Sequence, residues 1–196
     1  MHKTPTEPQI TRLLPNVLSL SRILLGVALF VLLPRLGIPA TSICFGIVLV
    51  GALTDYLDGR IARQTRSVSL VGKWIDPLSD FVFFLFVYAS FHRIGLMPLV
   101  LLLLFLAREL IMYGVIRTLY MIRKLDPGAK AAGKIKTVLQ ILGSLLVLFL
   151  LLLTQMGALQ GDLVSRIAPW ILSCLVAVSL LSLIWYVLPL LRSRTR

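Results

Sequence analysis

Long runs of apolar residues alternate with short polar connectors over most of the chain. A helix that crosses a membrane needs about 20 mostly apolar residues. The pattern offers six runs of that kind, which we place at residues 16–33, 38–63, 72–92, 96–123, 133–156 and 166–191. We therefore predict an all-α, polytopic membrane protein with six transmembrane helices.

The predicted spans leave only short segments outside the membrane. Residues 1–15 contain three prolines and no cleavage-site pattern, and we expect a cytoplasmic segment at the membrane interface. Residues 16–191 form one predicted membrane domain, and residues 192–196 form a basic cytoplasmic tail. The last two helices are rich in Leu, Val and Ile, so we expect them to serve packing or an oligomer surface.

Composition agrees with a membrane protein and adds its orientation. The chain has 58% hydrophobic and only 14% charged residues, which is far too apolar for an ordinary soluble domain. Its formal net charge is +12, and with a cytoplasmic N-terminus only Arg35, Arg93 and Arg166 fall on the outer side. This bias predicts cytoplasmic termini. Topology and attraction to anionic lipid account for the excess charge, so no nucleic-acid partner is expected.

Four of the chain's eight acidic residues fall within 26 positions, at the inner ends of the second and third predicted helices: Asp55, Asp58, Asp76 and Asp80. Each pair has the spacing of residues that share a helix face, and a short connector can bring the two faces together. Ionisable groups at that depth are costly unless they are paired. Salt bridges with nearby arginines are one explanation, and a cation pathway through the membrane is another.

The composition of this cluster favours a metal site. Converging carboxylates need cations to remain ionised, and oxygen-only ligands select hard divalent ions. We therefore expect Mg²⁺ or Mn²⁺, as a pair of ions, which suits phosphoryl transfer. Gly59 and Ala62 leave space beside the helix for a bulky ligand, and Arg63 adds positive charge for phosphates.

The spacing of these residues resembles the signature of the CDP-alcohol phosphotransferase family. The eight matching positions are Asp55, Asp58, Gly59, Ala62, Arg63, Gly72, Asp76 and Asp80. The resemblance implies a homodimeric six-helix membrane enzyme with two metal ions at the aspartates. It implies that Asp80 is a metal ligand or the catalytic base, and that the donor-binding residues are Gly59, Ala62, Arg63 and Gly72.

Further motifs are similar to those of the bacterial phosphatidylglycerophosphate synthases within that family. They are Pro15-Asn16-Val17-Leu18-Ser19 with Arg22, Ala107-Arg108-Glu109, and Gly133-Lys134-Ile135-Lys136-Thr137 with Gln140. This similarity implies that Arg108, Lys134 and Lys136 bind the acceptor, and that the enzyme lies in a bacterial inner membrane with a cytoplasmic active site. Two positions depart from the subfamily: Phe81 replaces its usual Lys, and Arg117 comes nine residues after Arg108 where the subfamily has eight.

The sequence therefore predicts transfer of the phosphatidyl group of CDP-diacylglycerol to sn-glycerol 3-phosphate, which yields phosphatidylglycerophosphate and CMP. Another acceptor is an alternative within the family, such as phosphatidylglycerol in cardiolipin synthesis or an inositol phosphate. A divalent-cation transporter is the alternative from a different class.

Overall fold

The computed structural model describes the backbone of residues 9–65, 72–123 and 131–192, with side chains at residues 19–54, 77–123, 133–188 and 190–191. Throughout these residues the protein is helical and contains no strand. The helices are α1 (Gln9–Leu32), α2 (Ile38–Thr65), α3 (Gly72–Arg93), α4 (Leu99–Leu110), α5 (Thr118–Ile122), α6 (Ala131–Gln155) and α7 (Gly161–Arg192). A 3₁₀ turn (Leu33–Arg35) follows α1, and a π-helix (Ile111–Arg117) joins α4 to α5 in one continuous rod. The prediction of an all-α chain is confirmed for this part.

In the part of the chain that the structure describes, three segments are long and apolar enough to cross a membrane. They are Leu99–Ile122, Gly133–Gln155 and Gly161–Leu188. A shorter apolar stretch is found at Ile38–Thr54 in α2. Six spans therefore remain a prediction, as do the segment limits at residues 15 and 191. Helix α1 begins at Gln9, so it includes residues that we assigned to the interfacial segment.

The outer surface of the bundle is apolar. Leu24, Ile122 and Trp170 are each more than 70% exposed, a degree of exposure that costs free energy in water and none in lipid. The interior is apolar as well, with one core of buried side chains to which α1, α2, α3, α6 and α7 all contribute. Apolar surfaces on both the inside and the outside are typical of a protein that lies in a bilayer.

Two packing arrangements position the charged residues. Helix α1 packs most extensively on α3 and also contacts α2, whereas α7 packs against both α6 and α4. Helices α1 and α3 approach each other closely at Gly26, where an added Cβ would lie 3.3 Å from the Cα of Phe83. A glycine lets two membrane helices approach so that polar side chains nearby can meet.

Candidate functional site

Asp80 on α3 forms an ion pair with Arg22 on α1, whose Nη1 donates to its Oδ1. The Arg22 side chain is 1% exposed and that of Asp80 is 29% exposed. Gly26 lies one turn after Arg22, and Phe83 lies one turn after Asp80, so the close approach of α1 and α3 aligns the ionic pair as well. The sequence alone allows two roles for Arg22, pairing with an aspartate or reaching the membrane interface. The ion pair shows that Arg22 pairs with an aspartate.

The remaining aspartates lie on regular helices, but their side chains lie outside the described residues. Asp55 and Asp58 belong to the backbone of α2, and Asp76 belongs to that of α3. Continuous helix through these positions agrees with the spacing argument, which requires i, i+3 and i, i+4 pairs on one face. The structure likewise describes only the backbone of the predicted donor-binding residues Gly59, Ala62, Arg63 and Gly72.

The predicted metal ligands have the donor chemistry of a divalent-ion site. A set of four carboxylates fits a hard divalent ion, because such ions prefer oxygen ligands. Among the residues with described side chains there is no group of three His, Cys, Asp or Glu that could hold an ion, and Asp80 is the one member of the predicted ligand set within that part. The metal ligands therefore remain a prediction.

A second charged cluster joins α4 to α6. Arg108 and Glu109 are 3% and 2% exposed, and Arg108 Nη1 donates to Glu109 Oε1 at 2.8 Å. Lys136 of α6 donates to the same oxygen of Glu109. Two basic side chains therefore share one carboxylate, and by formal charge the cluster carries one net positive charge in the bundle interior. An excess cation in a low-dielectric interior favours the binding of an anion.

Helix α7 completes this cluster with two serines. Arg108 Nε donates to the carbonyl oxygen of Ser179 at 3.0 Å, and Arg108 Nη2 donates to Ser182 Oγ at 2.8 Å. We expected α7 to serve packing or an oligomer surface, and it also supplies two of the three hydrogen-bond partners described for Arg108; a part for α7 in function remains a proposal.

Of the three predicted acceptor-binding residues, the structure brings two together. Arg108 and Lys136 meet at Glu109. Lys134 is exposed, because two residues turn an α-helix by about 200° and direct the two lysines to different faces. The role of Lys134 in acceptor binding remains a prediction.

The π-helix changes the position of Arg117 relative to Arg108. In a regular α-helix nine residues turn the chain by about 180° from the starting direction, and eight turn it by about 80°. The π-helix Ile111–Arg117 lies between the two arginines, and a π-turn takes up one extra residue because its hydrogen bonds close one residue later. Arg117 therefore lies near the direction that an eight-residue spacing would give.

Tyr113, in the middle of the π-helix, lies between the two charged groups. Its hydroxyl donates to the carbonyl oxygen of Pro77 on α3, and the Arg117 guanidinium lies 5.0 Å from the centre of its ring. Tyr113 is also within electrostatic range of Asp80, Glu109 and Arg108. Tyr113 is therefore within electrostatic range of both the predicted catalytic base and the cationic cluster.

Phe81 fills the space between α3 and α4. Its ring lies 6.3 Å from that of Phe105 and 5.8 Å from that of Tyr113, between ring centres. An aromatic side chain at this position packs against α4 beside the cationic cluster, where a lysine would add a further charge.

Glu109 and Ser182 take part in this site although the sequence motifs assigned neither of them a role there. Glu109 carried a usable signal, since an acidic residue within an apolar span is a functional candidate by default. Ser182 carried none, because a serine in a membrane helix commonly bonds its own backbone. Ser182 does this too, donating to the Ser179 carbonyl at 2.6 Å, and its contact with Arg108 depends on how α7 packs on α4.

Comparison with known proteins gives one family over nearly the whole chain. The family model described as CDP-alcohol phosphatidyltransferase matches residues 12–185. A cardiolipin synthase (CMP-forming) of Streptomyces coelicolor is 37% identical over 121 residues, which are 57% of this chain and 56% of that protein. The chain thus matches a little over half the length of that relative.

Two further relatives share a different name, CDP-diacylglycerol–glycerol-3-phosphate 3-phosphatidyltransferase. The protein of Aquifex aeolicus is 35% identical over 127 residues, 63% of this chain and 68% of that protein. The protein of Rickettsia prowazekii is 28% identical over 173 residues, 87% of this chain and 93% of that protein. The second of these matches extends over most of both chains.

Proposed function

The chain belongs to the CDP-alcohol phosphatidyltransferase family, and from this premise we propose that it transfers the phosphatidyl group of CDP-diacylglycerol to sn-glycerol 3-phosphate. The products are phosphatidylglycerophosphate and CMP. Membership of the family confirms the prediction of an enzyme, and nothing supports the alternative of a cation transporter. The family and the apolar helices together indicate a membrane protein.

The observation that carries the choice of acceptor is the buried cluster of Arg108, Lys136 and Glu109. Its formal net positive charge is enclosed by α4, α6 and α7 and is within electrostatic range of Asp80. Glycerol 3-phosphate carries close to two negative charges at neutral pH, and it needs dedicated cations to bind near a group of carboxylates. The relatives from Aquifex and Rickettsia are named for an activity with this acceptor.

In the proposed reaction the acceptor hydroxyl attacks the phosphorus next to diacylglycerol. A new bond forms between that phosphorus and the acceptor oxygen, the bond from that phosphorus to the oxygen of CMP breaks, and Asp80 accepts the hydroxyl proton. Arg22 holds the Asp80 carboxylate in place, while Arg108 and Lys136 bind the acceptor's phosphate. Lys134 adds charge at the mouth of the site.

Members of this family generally depend on a divalent metal ion. We propose that Asp55, Asp58 and Asp76, with Asp80 as a further ligand, hold two ions of Mg²⁺ or Mn²⁺. Such ions would neutralise the pyrophosphate and stabilise the departing CMP. Gly59, Ala62, Arg63 and Gly72 would border the cytidine diphosphate.

We further propose that the protein is a homodimer in a bacterial inner membrane. It has six spans, an interfacial segment at residues 1–15 and cytoplasmic termini. Cysteine labelling from either side of intact vesicles tests the topology: a cysteine introduced at Lys134 should react from the cytoplasmic side, and one introduced at Arg166 from the other.

A second candidate is the synthesis of cardiolipin, with phosphatidylglycerol as acceptor. It is favoured by the Streptomyces relative. Both acceptors carry a phosphate, but phosphatidylglycerol carries a single negative charge and two acyl chains. The two candidates therefore differ in whether the acceptor enters from water or from lipid.

Purified protein in detergent, given CDP-diacylglycerol and Mg²⁺ or Mn²⁺, decides between them. We expect CMP release and phosphatidylglycerophosphate, identified by mass, with glycerol 3-phosphate. We expect little product with phosphatidylglycerol or an inositol phosphate. Transfer to phosphatidylglycerol alone would move the assignment to cardiolipin synthesis, and no CMP release with any acceptor would contradict the proposed reaction.

A further inference from the structure

The Arg108 guanidinium donates three hydrogen bonds, one to its own helix α4 and two to α7. Its Nε donates to the Ser179 carbonyl, its Nη1 to Glu109 and its Nη2 to Ser182 Oγ, all at 2.8 to 3.0 Å. A guanidinium has five N–H donors. Three are used here, so one donor on each terminal nitrogen remains for a ligand.

The Ser182 hydroxyl has a fixed orientation. It donates its one hydrogen to the Ser179 carbonyl at 2.6 Å, so only its lone pairs are available to Arg108. Ser182 and Ser179 are 4% and 0% exposed, and they are spaced three residues apart on one face of α7. The pair forms a rigid acceptor surface for the guanidinium.

We propose that Ser182 is a positioning residue that sets the affinity for the acceptor's phosphate by holding the Arg108 guanidinium in its binding orientation. This inference rests on the proposed function of Arg108. An arginine side chain is long and flexible, and its planar fork binds an oxyanion through two donors only when it is correctly oriented. Fixing that fork before the ligand arrives lowers the cost of binding.

The alternative role for Ser182 is a structural one, in which its hydroxyl is satisfied by its own helix and Arg108 is a chance neighbour. The two roles differ in what removal of the hydroxyl does. A serine that only satisfies itself is nearly neutral to replace by alanine, whereas one that holds Arg108 weakens the acceptor site when it is replaced and leaves the donor site unchanged.

The test compares Ser182→Ala with Ser173→Ala in full-length purified protein. Ser173 is a matched control, because it lies on α7 and its hydroxyl donates to the Pro169 carbonyl at 2.7 Å. We expect S182A to raise the KM for glycerol 3-phosphate about tenfold, the effect of losing one hydrogen bond to a charged group. The KM for CDP-diacylglycerol should remain that of the parent. Ser182→Thr, which keeps the hydroxyl, should restore most of the acceptor affinity.

A double-mutant cycle with Arg108→Gln shows whether Ser182 acts through Arg108. In the R108Q background, S182A should cause no further rise in the acceptor KM, because there is no guanidinium left to position. If S182A does not fold, Ser182→Cys keeps nearly the same shape with a weaker acceptor and is measured instead.

The outcomes separate this inference from the function on which it rests. If R108Q raises the acceptor KM but S182A and S182C do not, Ser182 has no positioning role and the acceptor site stands. Additive effects of R108Q and S182A would also overturn the inference. If R108Q itself leaves the acceptor KM unchanged, the proposed acceptor site is wrong, and the positioning role of Ser182 is wrong with it.

Discussion

Arg22 of α1 donates a hydrogen bond to the carboxylate of Asp80 on α3, although the two residues lie 58 positions apart in the chain. The pair joins the first helix of the bundle to the residue that we propose as catalytic base. Its strength can be compared with that of a second arginine at the same helix interface. Arg93 of α3 donates to the Phe30 carbonyl of α1 at 3.1 Å from an exposed position.

Replacing Arg22 by Gln should lower the free energy of unfolding more than replacing Arg93 by Gln. We expect a loss of about 1–3 kcal/mol for R22Q, because a partly buried carboxylate is left without its ionic partner. R93Q should cost less than about 1 kcal/mol, because Arg93 is exposed and its hydrogen bond to the Phe30 carbonyl is weak where water competes for it. Thermal unfolding in detergent measures both losses of stability. Equal losses would mean that the ion pair of Arg22 contributes no more stability than the exposed contact of Arg93.

The sequence predicted the helices well but not how their polar residues pair. Helices α2, α3 and α6 begin within two residues of the predicted spans, because long apolar runs bounded by polar connectors fix where a helix begins. The pairing of Arg22 with Asp80 was only one of two explanations, since it depends on the close approach of α1 to α3 at Gly26. Contacts between distant helices are set by packing, which the hydrophobic pattern does not encode.

In the cationic cluster, too, the sequence predicted some of the residues but not the contacts between them. Arg108 and Lys136 were identified from motifs, but their shared partner Glu109 and the contact to Ser182 depend on the crossing of α4, α6 and α7. The π-helix was not predicted at all. One extra residue in a uniformly apolar helix rotates the residues after it without disturbing the pattern of apolar positions.

Replacing Asp58 or Asp76 by Asn should abolish turnover in a protein that remains folded. An amide keeps the volume of the side chain and loses the charge that a divalent ion requires. Asp162→Asn is the matched control, since Asp162 lies exposed in the first turn of α7. CMP release and thermal unfolding are measured together. Activity near that of the parent in D58N or D76N would remove the metal-site proposal.

Replacing Asp80 by Asn should abolish transfer but preserve much of the binding of CDP-diacylglycerol. A general base acts after the donor is bound, so donor affinity does not depend on its proton acceptor. Equilibrium binding of labelled CDP-diacylglycerol, alongside CMP release, distinguishes the two roles of this residue. Loss of donor binding in D80N would show that Asp80 is chiefly a metal ligand.

Replacing Arg108 or Lys136 by Gln should raise the KM for glycerol 3-phosphate by about ten- to a hundredfold. Each change removes a charged hydrogen bond worth roughly 1.5 to 3 kcal/mol. The KM for CDP-diacylglycerol should change much less. Arg166→Gln, an exposed change at the start of α7, should leave both values as in the parent. Parent-like acceptor affinity in both R108Q and K136Q would contradict the proposed binding of glycerol 3-phosphate at these residues. Only the assignment to the family would then remain.

Deleting Gly114 from the π-helix should leave activity close to that of the parent. The π-helix holds one residue more than an α-helix of the same rotation, so the deletion lets it become regular while Arg117 stays on the side of Arg108. Gly114 has open space around its Cβ position. Deleting Leu103 from the regular part of α4 should instead abolish activity, because it rotates the two halves of the rod relative to each other by about 100°. Equal inactivation by both deletions would argue against the extra residue that we assign to the π-helix.

The hydrogen bond from Tyr113 to the Pro77 carbonyl has a consequence for how the two substrates are spaced. Pro77 lies between Asp76 and Asp80, and Tyr113 lies between Arg108 and Arg117. One bond thus links the backbone between two predicted metal ligands to the helical segment that carries Arg108, which we propose as an acceptor-binding residue. Under the proposed function, the distance from the acceptor hydroxyl to the donor phosphorus would be set in part by how α3 packs against the π-helix, and a change in that packing would alter the size of acceptor that fits while every charged residue stays in place.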